Sequence, residues 1–124
     1  MIANLAKALF DTNILIDAIA GHPEARAIIE TAVDPAISII TAFEVLSGTT
    51  SWDEAKAQAL LNGFRQIDVD PDIITYAVAL AKERRLLMPD AIIVATAQAT
   101  GRTLITRDIK LTNEIDDPRS LCLT

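Results

Sequence analysis

The sequence predicts an α/β fold, in which a short, mostly parallel central sheet is covered on both faces by helices. Short apolar runs of strand length alternate with stretches of helical spacing from end to end, an order that calls for crossover connections between parallel strands. The run Ala36–Ile40 is apolar and β-branched, as in a strand buried on both faces. The chain has 124 residues, the length of one domain, with no internal repeat, low-complexity tract or interdomain linker. Residues 1–124 are therefore expected to form a single three-layer α/β/α unit.

The elements follow in order. Ala6–Phe10 reads as the first strand and Ile14–Ala20 as a helix, broken at Gly21-His22-Pro23. Ala25, Ile28, Ile29 and Ala32 recur at helical spacing and mark a second helix, closed by the Asp34-Pro35 turn. After the strand Ala36–Ile40, a helix begins at Thr41 and runs to Gly48. Trp52–Asn62 is the next helix, stopped near Gly63, and Phe64–Val69 the next strand. Asp70-Pro71 opens a longer helix with Ile73, Ile74, Ala77, Val78 and Ala81 on its buried stripe. Met88-Pro89-Asp90 starts a helix that Gly101 should end. Thr103–Thr106 is a strand, residues 109–119 the least regular stretch, and Ser120–Leu123 a last edge strand.

Composition removes several classes of function. Aliphatic residues dominate a 51% hydrophobic fraction, which excludes disorder. The lone Cys122 can form neither an internal disulfide nor a thiolate zinc site, and a reducing, cytoplasmic setting is expected. His22 is the only histidine and reads as a solvated turn residue, so nucleophilic triads and His-rich zinc sites are poor candidates. No apolar stretch approaches the roughly 20 residues of a membrane span. The net charge of −6 argues against a polyanionic substrate. Its distribution softens the objection, because residues 82–110 hold Lys82, Arg84, Arg85, Arg102, Arg107 and Lys110 against three acids. A basic rim on an acidic body and an ordinary solvated helix end explain that segment about equally well.

The acids are the informative residues. In open α/β sheets the functional crevice lies at the carboxyl ends of the strands. Asp11 follows the first strand, Glu44 lies just inside the helix after the second, and Asp108 follows the strand ending at Thr106. Asp90 lies in the first turn of the helix that leads into that strand. Each also has a structural explanation. Asp11 can cap a helix, Thr41 and Glu44 match a capping box, Asp90 suits a helix dipole and Asp108 suits a turn. If the four converge, their mutual repulsion raises pKa values and suits a hard cation, Mg²⁺ or Mn²⁺, of the kind that clamps a phosphodiester.

Four segments resemble those of a known family. Leu9–Asp17 (LFDTNILID) resembles the opening of PIN domains, especially VapC-type toxins of toxin–antitoxin pairs. Ser38–Gly48 (SIITAFEVLSG), Met88–Ala97 (MPDAIIVATA) and Leu104–Asp108 (LITRD) resemble their second, third and fourth acidic motifs, in the same order. The resemblance implies a Mg²⁺- or Mn²⁺-dependent endoribonuclease with Asp11, Glu44, Asp90 and Asp108 as catalytic acids and metal ligands. It makes Thr106 and Asn13 supports of that site. It further implies an RNA substrate, a homodimer and a cognate antitoxin whose tail enters the acidic groove. Arg84, Arg85 and Arg107 are the candidate RNA contacts, and Asp17 is read as a surface or capping acid.

One departure stands out: Ile109-Lys110-Leu111 follows the fourth motif where many relatives place another acid before Phe, which leaves one ion or two open. Two other classes compete. In one, the acids are caps and the chain is a catalytically silent binding module acting through a protein partner. In the other, Asp11 is a phosphotransfer nucleophile; a dehalogenase-like motif then wants a second aspartate where Asn13 stands.

Overall fold

In the computed structural model of the chain, residues 5–49, 53–109, 111–112 and 121–122 are described. Five strands form one sheet: β1 (Ala8–Phe10), β2 (Ala36–Ser38), β3 (Arg65–Ile67), β4 (Thr103–Thr106) and β5 (Leu121–Cys122). Their order is β3-β2-β1-β4-β5, and every pairing is parallel. The expected crossover sheet is therefore present. The chain builds outward from β1 through β2 to β3, then returns to the other side of β1 with β4. The strand order thus reverses between β1 and β4, where ligand crevices of such sheets open.

Strand residues alternate between two cores. Ala8, Phe10, Ile37 and Ile105 pack beneath α1 (Thr12–Ile19), α2 (Pro23–Thr31), α3 (Ile39–Gly48) and α4 (Glu54–Leu61). Leu9, Ala36 and Leu104 face the opposite side and meet Ile93, Val94 and Ala97 of α6 (Met88–Thr100). α5 (Pro71–Arg84) packs on α6 through Ile73 and Ala77 against Ala91, Ile92 and Ala95. This two-sided burial makes three layers and explains why the strands are apolar at successive positions. Phe10 is fully buried and meets Phe64 edge-on, with ring centroids 5.7 Å apart; Phe10→Ala would cost about 3–5 kcal/mol through the cavity it leaves.

The helix boundaries refine the sequence reading. The first strand is shorter than Ala6–Phe10, because Leu5–Lys7 form a 3₁₀ turn ahead of it. β2 ends at Ser38, whose hydroxyl accepts from the Ile40 N–H at 3.2 Å and so caps α3. Ile39 and Ile40 are helical, and the predicted Thr41–Glu44 capping box is replaced by a start two residues earlier. α4 begins at Glu54, and Trp52 lies outside the described residues, as do Ser120 and Leu123 of the predicted last strand. α6 ends as expected, with Gly101 at φ +65°, a left-handed cap that needs no Cβ. Among the described residues, no helix is long and apolar enough to cross a membrane.

A guanidinium ties the amino ends of the strands together. Arg102, just ahead of β4, is 8% exposed. Its Nη1 donates to Asp34 O at 2.7 Å and to Ala8 O at 3.3 Å, and its Nη2 donates to Asp34 Oδ2 at 2.9 Å. Arg65, which opens β3, donates from Nε to Asp34 Oδ1 at 3.2 Å. Those donors hold the Asp34 carboxyl below its ordinary range, Arg102 most strongly. Arg102 is thus a sheet fastener, and it leaves the basic rim proposed for residues 82–110.

Candidate active site

Asp11 is the residue around which the opposite end of the sheet is organised. It directly follows β1, and its N–H donates to Ile105 O at 2.9 Å, which extends the β1–β4 ladder one residue beyond the strand. It is also the N-cap of α1, its Oδ1 accepting from the Thr12 N–H at 2.8 Å. Oδ2 accepts from Thr106 Oγ1 at 2.6 Å and from Asn13 Nδ2 at 3.3 Å. The side chain is 94% hidden from solvent by these neighbours, since only 6% of the residue is exposed.

Burial pushes the Asp11 carboxyl up from its ordinary 3.8; the Thr106 and Thr12 donors pull it back, while the charges of Glu44 and Asp108 add to the rise. The same pattern shows that Glu44 and Asp108, contributed by α3 and the β4 exit, share an electrostatic environment with Asp11. Glu44 is half-buried, and its Oε1 accepts from Thr12 Oγ1 at 2.7 Å. The Thr12 hydroxyl lies 3.1 Å from that of Thr41, which is buried in α3. Asp108 donates its N–H to Thr106 Oγ1 at 3.0 Å, and its Oδ1 accepts from the Leu111 N–H at 3.3 Å. Thr106 therefore serves two acids at once, and Asn13 braces it with a further bond of 3.3 Å.

The remaining predicted residues lie on α5, α6 and the β4 exit. Asp90 stands half-buried in the first turn of α6. Arg84 and Arg85 lie exposed at the end of α5, with Arg85 in a left-handed conformation at φ 55°. Arg107 is half-exposed, and its Nε meets Asp17 Oδ2 at 2.6 Å. Asp17 is only 17% exposed on that pair, which corrects its reading as a surface acid.

Sequence reasoning misses the Thr12 hydroxyl, and it gives Thr41 and Asp17 other parts, a helix cap and a surface or capping acid. Thr12 sits inside the first motif, and Asp17 is one helical turn from Asn13, on the same face; those were the available signals.

The donor chemistry suits a hard divalent cation: carboxyl oxygens, one pair of them buried and hydrogen-bonded to Thr106, Asn13 and the Thr12 N–H. The side chains as placed stop short of a closed ligand set, since among the described residues no three Asp, Glu, His or Cys stand together around one ion position. Two neighbouring hollows lie on this side of the molecule, one of them lined by Glu44. One, of about 380 Å³, is lined by Ile16, Ile19, Glu44, Val45, Asp53 and Lys56. The other, of about 330 Å³, shares Ile19 and Lys56 and reaches Arg26 and Ile29 of α2.

Comparison with known proteins agrees with this fold. A family model described as PIN domain matches residues 8–115. No curated protein matches the chain. Among solved structures, a toxin–antitoxin complex from Klebsiella pneumoniae contains a chain 42% identical to this one, with a TM-score of 0.83 over 92% of this chain and 95% of that one. VapBC2 from Rickettsia felis, bound to a DNA fragment from its promoter, shares 24% identity over 94% and 96% of the two chains, TM-score 0.76. VapBC-1 from nontypeable Haemophilus influenzae shares 19% over 93% and 96%, TM-score 0.75. The last two show likeness of fold alone.

Proposed function

The chain belongs to the PIN-domain family, and on that premise we propose that it is a divalent-metal-dependent endoribonuclease, the toxin of a toxin–antitoxin pair. The observation that carries the reading is Asp11: a buried carboxyl at the carboxyl end of β1, held by Thr106, Asn13 and the Thr12 N–H, with Glu44 and Asp108 acting on it. A fold keeps such a group at a cost that a bound cation offsets.

Asp11, Glu44, Asp90 and Asp108 are the residues that would hold Mg²⁺ or Mn²⁺. When bound, the ion supplies Lewis-acid polarisation of the phosphodiester and a more acidic water. The chain's own groups do the rest. Thr106 and the Thr12 N–H fix the direction of the Asp11 carboxyl and favour its ionised form against burial. Asn13 limits the rotation of both Asp11 and Thr106. The Thr12 hydroxyl orients Glu44 across the crevice from α3. Arg84, Arg85 and Arg107 are the candidate contacts to RNA phosphates, since guanidinium donors match phosphate oxygens.

The hollow lined by Glu44, with its neighbour that shares Ile19 and Lys56, is the surface that would take an antitoxin segment, in line with the Klebsiella pneumoniae complex. A homodimer is part of the same reading. The apolar groove of about 290 Å³ along α5 and α6, with Ile74, Val78 and Met88 at its rim, is the surface that would serve it. The site of action is the cytoplasm.

A catalytically silent module acting through a protein partner is the second reading. It is favoured by the hydrogen bonds that already occupy Glu44 and Asp108, with the Thr12 hydroxyl and the Leu111 N–H. One experiment separates the two. Transfer, ribosomal and messenger RNAs are incubated with the protein in Mg²⁺, Mn²⁺ or EDTA, beside Asp11→Asn and Asp90→Asn. The nuclease reading expects metal-dependent cleavage that both substitutions abolish. Equal cleavage by the parent and the variants overturns it.

A further inference from the structure

Arg107 lies between Thr106 and Asp108, yet its ion pair is with neither Asp11 nor Asp108. Two residues of α1 hold it instead. Its backbone N–H donates to Asn13 Oδ1 at 3.2 Å, and its Nε donates to Asp17 Oδ2 at 2.6 Å. Asn13 and Asp17 are four positions apart, so they lie on one helix face with Cβ atoms about 5–6 Å from each other. Asn13 is also the amide that touches Asp11 Oδ2 and Thr106 Oγ1. The guanidinium is therefore anchored one helical turn further along α1 than the group in contact with the acidic pocket.

That placement needs a cause, because Coulomb attraction alone draws an arginine toward the pocket. Asp11, Glu44 and Asp108 bring their carboxyls to that end of the sheet, tied through Thr12 and Thr106, and Asp11, raised first by burial, is raised further by the other two. A guanidinium has five donors and forks readily onto carboxylates. Asp17 supplies the counter-attraction. It is the more buried partner, 17% exposed against 50% for Arg107, and its oxygen lies at the short limit of a charge-assisted bond.

We infer that Asp17 is a positioning residue that acts through Arg107. It holds the guanidinium out of the carboxylate pocket, so that the pocket's charge is left for a divalent cation. The inference rests on the nuclease reading and deepens it. Without the Asp17 charge, Arg107 turns toward Asp11 and Asp108 and becomes an internal substitute for the metal. The Asn13 bond to its backbone keeps the β4 exit in place and does nothing to restrain the side chain.

The test is thermal unfolding during titration with Mg²⁺ or Mn²⁺, for the parent, Asp17→Asn, Asp17→Glu, Arg107→Gln and the double variant Asp17→Asn/Arg107→Gln. Asp17→Asn should need about tenfold or more metal for half the rise in Tm, the usual loss when a partner outside the ligand set is removed. Asp17→Glu keeps the charge and should stay near the parent. Arg107→Gln should bind metal at least as tightly as the parent, and the double variant should follow Arg107→Gln. An Asp17→Asn midpoint equal to the parent's, with only a lower Tm, would make the pair a structural brace and overturn the inference alone. A double variant as weak as Asp17→Asn would also overturn it, since Asp17 would then act by another route. If no ion raises the Tm of any of the five proteins, the nuclease reading and the inference fall together.

Discussion

Replacing Thr106 with valine removes one oxygen and keeps the side-chain shape, which isolates the hydroxyl's support of Asp11. Thr106 is fully buried, and its Oγ1 donates to Asp11 at 2.6 Å while accepting from the Asp108 N–H and the Asn13 amide. The bond to the ionised carboxylate belongs to a class worth about 1.5–3 kcal/mol. The two donors that lose their acceptor are partly solvated, and together they add about 0.5–1 kcal/mol. The total is about 2–4 kcal/mol, below the 5–15 kcal/mol typical of whole domains, so the variant should fold. At about 3–5 °C per kcal/mol for a chain of this size, Tm should drop by about 10 °C.

The assay is thermal unfolding by circular dichroism in EDTA at pH 7, with Thr106→Ser, which restores the oxygen, as the recovering control. A second readout follows from the Thr106 donor being the strongest influence that opposes burial at Asp11. Its loss raises the Asp11 pKa further and, on the proposed nuclease function, moves the acid limb of RNA cleavage to higher pH. A valine variant that melts within about 2 °C of the parent, with that limb unmoved, would refute the reasoning.

Three other expectations follow from the same structure. Arg102→Met leaves the Asp34 and Ala8 carbonyls without their donor and should cost about 2–4 kcal/mol, read from the urea midpoint; a change under about 0.5 kcal/mol would show that Arg102 is not a fastener. The two shifted carboxyls act in opposite pH windows. Asp34, lowered by Arg102 and Arg65, stabilises the fold above its ordinary 3.8, and that contribution is lost as pH falls through its folded value. Asp11, raised by burial, contributes stability below 3.8 that is lost as pH rises through its folded value. Asp34→Asn should therefore destabilise the protein at pH 7 and match the parent in strong acid, and an equal deficit at both would contradict the assignment. Finally, Arg85→Gly relieves a left-handed arginine and should stabilise the fold by about 0.5–1 kcal/mol. If Arg85 meets an RNA phosphate, the same change should lower the salt dependence of RNA binding by about one counterion, and an unchanged slope would remove Arg85 from that role.

The sheet and the acids at its carboxyl ends were legible because strand length, crossover order and the position after each strand are local properties. Asp11, Glu44 and Asp108 fell into place on that basis. The start of α3 was not legible, because Ile39 and Ile40 satisfy a strand and a helix equally well, and Ser38 serves as both strand end and cap. Arg102 was grouped with a basic rim because counting charges along a segment does not separate a buried guanidinium from a solvated one. Its partners are Ala8 and Asp34, 94 and 68 positions away. Asp17 was misread for the same reason, since the arginine that explains it comes from the other end of the chain.

The fastener at the amino ends has a bearing on synthesis. β1 is flanked by β2 on one side and β4 on the other, and both Arg102 and β4 emerge late from the ribosome. A nascent chain that stops before Arg102 can pair β1 on one side only. It lacks the guanidinium that joins Ala8 to Asp34 and the hydroxyl that steadies Asp11. Premature termination products therefore leave one edge of β1 unpaired and Asp11 without its Thr106 donor, the kind of exposed edge that favours aggregation. The acidic end of the sheet is then completed only when β4 has been made.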